Sequence, residues 1–152
     1  MTARSVMNPD PPVLRSTDPI KLAADAIMKG RYRRLPVVSP EGRYLGMFGV
    51  HCLLGMVLPK AILMEDGDSL SHLPRESLSD LHRRFQEVEN EPITICSIEE
   101  NLVVHPDTPL IQTLFTLWRH GHNLPVVDPT SGRLEGLISY WDVGAAILAA
   151  ET

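Results

Sequence analysis

The chain has 152 residues, 43% of them hydrophobic and 22% charged, with a net charge of −5 at neutral pH. That length and composition suit a soluble globular domain, or two small subdomains sharing one core. They argue against a nucleic-acid-binding surface, which must be positive to neutralise phosphates; no apolar run approaches the roughly 20 residues of a membrane helix, and the N-terminal MTARSVMNPD lacks the apolar centre of a signal peptide.

The elements follow in order along the chain. Val13-Leu14 is a short apolar run. STDP at 16–19 is a helix start, where Thr17 or Asp18 can cap exposed N–H groups and Pro19 suits the first turn. Ile20, Ala24 and Ile27 recur at helical spacing, and Gly30 ends that helix. LPVV at 35–38 reads as a strand, SPEG at 39–42 as a turn, and YLGMFG at 44–49 as the second strand of a hairpin. A helix beginning near Val50 carries Leu53, Leu54 and Val57. MEDGDS at 64–69 is an exposed acidic turn. ESLSDLHRRFQEV at 76–88 is a helix with Leu78, Leu81, Phe85 and Val88 on one face, set to pack on the rest of the chain or another subunit, or to act as a lid or docking element.

The first series then returns. Leu102-Val103-Val104 is the apolar run and PDTP at 106–109 the helix start. Leu110, Leu114 and Leu117 form the helical face, and Gly121 the stop. LPVV at 124–127, DPTSG at 128–132 and LEGLIS at 134–139 form the hairpin. The last helix, near Asp142, carries Val143, Ala146 and Ile147. LPVV repeats at a spacing of 89, and one extra residue in the second turn sets Gly46 and Gly136 90 apart. Two copies are too few for a solenoid and suit a pair that buries one shared face. The expected fold is α/β: a pseudo-two-fold pair of β-α-β-β-α repeats in one compact module, with a helical insert between them. Residues 1–57 are the first repeat, 58–92 the insert and 93–152 the second repeat.

The motifs of catalysis are missing. The sequence has no HExxH, CxxC, GxSxG or phosphate-binding P-loop, and HGH at 120–122 and HC at 51–52 are too sparse for a metal or nucleophile site. The reading is therefore not an enzyme. Cys52 and Cys96 form no disulfide framework and suit buried thiols in a reducing cytoplasm.

At LPVV, its turn, and the run GLISYWD at 136–142, the chain resembles a tandem pair of CBS domains, the regulatory module named after cystathionine β-synthase. The resemblance covers nearly everything outside the insert. It implies a disc-like module that often pairs with a second copy, hence a homodimer, and that senses ligands rather than catalysing. The implied ligand is AMP, ADP, ATP or S-adenosylmethionine, held between the repeats, with no required cofactor, no membrane and no nucleic acid. A separate regulated protein is a further partner. The alternative is a ligand-independent dimerisation or interaction module whose site is vestigial.

By position, the resemblance gives the ligand-binding residues as Ser139, Asp142, Leu137, Tyr32, Arg33, Pro36, Val13 and His122. A carboxylate such as Asp142 can accept both hydroxyls of a ribose, and Ser139 can donate to a ribose or phosphate oxygen. The same two residues also form a helix cap. Tyr32 offers a face for a base. GRYRR at 30–34 gathers guanidinium groups that match phosphate oxygens, Arg33 foremost, with Arg31 and Arg34 turned to solvent; His122 holds the position of Arg33 in the second copy. Trp141, beside Asp142, either shields the ribose or packs between subunits, with packing the favoured role. The mirror position has Gly49 and Cys52 in place of Ser139 and Asp142, so one good nucleotide site per chain is expected.

Overall fold

The computed structural model describes residues 1–60, 75–96, 98 and 102–151; the MEDGDS stretch lies outside the described residues. The first repeat runs β1 (Leu14–Arg15), α1 (Ile20–Gly30), β2 (Arg34–Val38), β3 (Tyr44–Gly49) and α2 (Val50–Val57). Helix α3 (Leu78–Val88) follows in the insert. The second repeat is α4 (Leu110–His120), β4 (Leu124–Val127), β5 (Leu134–Ile138) and α5 (Tyr140–Ala149). β1 lies parallel to β2, and its counterpart in the second repeat is a single parallel bridge from Val104 to Val126. The fold is thus the doubled α/β arrangement expected.

Each LPVV forms a strand because its Val residues are stiff at χ1 and its side chains are buried, save the half-buried Val127. Each hairpin carries a register shift at the same place, between Val37 and Val38 and between Val126 and Val127. The first core gathers around Phe48, Ile20 and Ile27, the second around Leu117, Leu124 and Ile138.

The helix starts are held otherwise than the sequence suggests. Asp18 Oδ2 accepts the Arg15 N–H at 2.8 Å and Thr108 Oγ1 accepts the His105 N–H at 2.9 Å, so both side chains close the turn before the helix rather than cap it. The helices' leading N–H groups go to distant carbonyls instead: Ile20 donates to Glu91 O at 2.9 Å, and Leu110 to Met1 O at 3.0 Å. Donors and acceptors alike are 90 residues apart, so this is one bond made twice.

Each repeat therefore lends a segment to the other. Ala3 donates to Thr108 O at 2.8 Å and is fully buried in the second core; Ile93 donates to Asp18 O at 3.0 Å and is fully buried in the first. Sequence assigned residues 1–57 to the first repeat and began the second at 93. The structure docks residues 1–8 on the second repeat and Ile93 on the first, which no local pattern signals.

The repeats also meet edge to edge. Arg43 and Arg133 form an antiparallel bridge, with Tyr44 donating to Gly132 O at 2.9 Å and Leu134 to Gly42 O at 3.2 Å. Equivalent residues facing each other mark the place where the pseudo-two-fold axis crosses this seam. Helix α3 packs on the first repeat through Phe85 and Val88, while Leu78, expected on the same face, is exposed. Arg84 pairs with Glu76 and donates to Val57 O at 3.0 Å, fastening α3 to the end of α2.

Candidate functional site

A cavity of about 680 Å³ opens between the repeats. The segment from the end of α1 into β2, residues 30–35, forms one wall. The loop from α4 to β4, residues 120–123, and the start of α5 form the other. Asn8, Pro12, Met47 and Leu137 complete the lining.

Ser139 and Asp142 sit where β5 runs into α5. Ser139 Oγ accepts the Asp142 N–H at 3.1 Å, and Asp142 Oδ2 accepts the Ser139 N–H at 3.2 Å and its hydroxyl at 2.8 Å. This is a capping box, with aspartate in the place usually held by glutamate. Both bonds to the carboxylate reach one oxygen, Oδ2. The same box recurs at Ser77 and Asp80, which cap α3 away from this cavity. The cap alone therefore does not mark a site. What distinguishes Ser139 and Asp142 is that both line the cavity.

The opposite wall has an unusual backbone. α1 ends at Gly30, and Arg31 takes the left-handed conformation at φ 53°; in the second repeat Gly121 takes that role at φ 70°. Gly30 is the last helical residue, as expected, but the left-handed turn falls on the residue after it. Gly30 also makes room for an aromatic ring: a Cβ there would lie 2.0 Å from Tyr32 Cε2. Tyr32 thus folds against the end of α1 and lines the cavity.

Across from it, His122 Nδ1 lies 3.1 Å from the Asn123 carbonyl. A carbonyl only accepts, so Nδ1 carries the proton and Nε2 is left as an acceptor in the neutral ring. The His120 and His122 ring centres are 6.1 Å apart. Tyr140 Oη donates to Leu117 O at 2.7 Å, tying the start of α5 to the last turn of α4.

Of the residues anticipated for the site, Ser139, Asp142, Leu137, Tyr32, Arg33 and His122 line this cavity. Val13 and Pro36 do not. Val13 is exposed beside Pro12, which does line it, and Pro36 is enclosed in β2 opposite Met47, which also does. Arg31, exposed as expected, and the half-buried Arg34 also line it, as does Trp141, which is 87% exposed. Asn8 was not anticipated. It arrives by pairing with Leu137 of the second repeat through bonds of 2.8 and 3.0 Å, a contact across the chain that no spacing reveals.

The family model for the CBS domain matches residues 3–59 and 86–149. The chain belongs to the CBS-domain family. Each matched segment includes the arm that the other repeat buries, Ala3 in one and Ile93 in the other. Among solved structures, a CBS domain-containing protein of unknown function from Kribbella flavida is similar over 98% of this chain and 99% of its own, at 17% identity and a TM-score of 0.73. CBSX2, a protein of Arabidopsis thaliana, solved in complex with AMP, matches over 97% and 96%, at 19% identity and a TM-score of 0.66. CbpB, solved in complex with c-di-AMP, matches over 98% and 85%, at 14% identity and a TM-score of 0.71. Among curated proteins, none matches the sequence significantly.

The two CBS repeats differ at the point that matters for a second site. Gly49 occupies the cap position of α2 and makes no side-chain cap; the Val50 N–H donates to Arg33 O at 3.0 Å. A Cβ on residue 49 would lie 2.2 Å from that oxygen. The first CBS repeat therefore caps its last helix with a backbone carbonyl, and the serine of the second repeat does not fit there.

Proposed function

We propose that this CBS pair is a ligand-sensing module that binds an adenine nucleotide or S-adenosylmethionine in the cleft between its repeats. The observation that carries the reading is one juxtaposition. A hydroxyl and a carboxylate at the start of α5 open onto a cavity whose far wall presents Tyr32 and Arg33. Asp142 accepts the ribose hydroxyls, Ser139 donates to the sugar or phosphate, Tyr32 stacks on the base and Arg33 meets phosphate. The solved CBS-pair relatives carrying AMP and c-di-AMP support an adenine ligand.

The module works as a homodimer that passes occupancy on to a separate regulated protein. Ile111, Phe115 and Trp118 line the outer face of α4, with Trp118 72% exposed, and Ile147 and Leu148 are exposed on α5. A ligand moves such an assembly only by preferring one arrangement over another. The same exposed faces favour the second reading, an interaction module that needs no ligand.

Calorimetric titration of ligand-stripped protein with AMP, ADP, ATP and S-adenosylmethionine separates the two. Binding of at least one, at one site per chain and abolished by Asp142→Ala, supports the sensor. No heat with any of the four, from folded protein, leaves the interaction module.

A further inference from the structure

The charge of the cleft walls goes further than the ribose pair. Arg31, Arg33 and Arg34 stand on one side, and His120 and His122 on the other, against a single lining carboxylate, Asp142. That carboxylate is engaged in its cap. Among the described residues, neither Arg31 nor Arg33 has an ion-pair partner. Two arginines without an ion-pair partner on one cleft wall, in a chain of net charge −5, are an arrangement that attracts a polyanion.

Arg31 is the telling residue. It is the only non-glycine with positive φ among the described residues, and its repeat-mate at that backbone position is Gly121. Glycine would sit there without strain. The loop is also one residue longer than its counterpart, since five residues separate Met28-Lys29 from Leu35 where four separate Trp118-Arg119 from Leu124. The strained position thus puts a guanidinium on the cleft wall where the second repeat has only Gly121.

We infer that the cleft selects a nucleotide bearing two or more phosphates, with Arg31 as the residue that distinguishes it from a monophosphate or from the cationic S-adenosylmethionine. Arg33 takes the first phosphate and Arg31 the next. The inference rests on the adenosine reading above.

The test is calorimetry of the full chain with AMP, ADP and ATP in magnesium-free buffer, on the natural protein and on Arg31→Gly, with a thermal melt of both. ADP or ATP should bind at least about fivefold tighter than AMP, the effect of one solvent-accessible charge-assisted bond. Arg31→Gly should bring ADP and ATP affinity down to about that of AMP, with a melting temperature no lower. A merely structural arginine would lower stability, or move all three affinities alike. AMP binding as tightly as ADP and ATP overturns the charge selection and leaves the adenosine reading intact. No binding by any of the three, together with none by S-adenosylmethionine, overturns both.

Discussion

The carbonyl oxygen of Arg33 occupies the space where a side chain on Gly49 would begin, 2.2 Å from the position of a Cβ. The loop that carries the cleft arginines is thereby the N-terminal cap of α2. Gly49→Ser, alone or with Cys52→Asp, should therefore not rebuild a second site. It should force the Arg33 peptide off the helix end and destabilise the protein by about 1–3 kcal/mol. Thermal melting reads the loss, and calorimetry should still count one site per chain. Two equal sites in the double variant would refute this account of the cap.

Ser139 and Asp142 hold two roles that substitution can separate. Ser139→Ala removes the cap acceptor and should lower stability by about 1 kcal/mol. Asp142→Asn keeps an oxygen for the Ser139 N–H and loses the charge. Its melting temperature should fall less than that of Ser139→Ala, while nucleotide affinity should fall about tenfold or more, the effect of a hydrogen bond to a charged group. Equal binding by Asp142→Asn and the natural protein would leave the pair as a cap and nothing else.

Ile93 carries the first repeat's core although it lies beyond the insert. Ile93→Ala should destabilise by about 2–5 kcal/mol, the usual effect of emptying a buried aliphatic site. Hydrogen exchange should report the loosening in α1 and β2, in the other half of the sequence. Protection lost only around residues 93–104 would contradict the exchanged packing.

Acid should weaken the fold through three carboxylates. Hydrogen bonding to Arg84 holds Glu76 below the usual range, Ser77 does the same for Asp80, and the N–H groups of Thr130 and Ser131 do so for Asp128. A group whose folded pKa is depressed contributes stability above its unfolded pKa, and that contribution disappears as pH falls through the folded value. Melting temperature should thus hold above about pH 4.5 and decline below it. Asp128→Asn should flatten that decline, because its turn no longer depends on ionisation.

Much of this was legible in the sequence because it is local. LPVV, its turn and the following strand are short-range patterns of stiff apolar residues and turn formers, and they read correctly twice. GLISYWD placed Ser139 and Asp142 on the start of α5 because a cap has fixed spacing. What stayed hidden depends on distant neighbours or on a single dihedral angle. Asn8 reaches the cleft only because the N-terminal arm pairs with Leu137. Asp18 and Thr108 look like helix caps, and lose that role to carbonyls supplied by Glu91 and Met1. Gly30 looks like the helix stop, yet its missing side chain serves Tyr32, and the left-handed turn falls one residue later on an arginine.

The exchanged arms have a consequence for what counts as a unit. Sever the chain between residues 60 and 75, and the N-terminal piece keeps Ala3, which belongs in the other piece's core, and lacks Ile93, which belongs in its own. Each fragment holds the key to its neighbour's lock. The nicked protein should stay a single particle through purification, and either fragment made alone should be insoluble until the other is added. Here the smallest thing that folds is the pair.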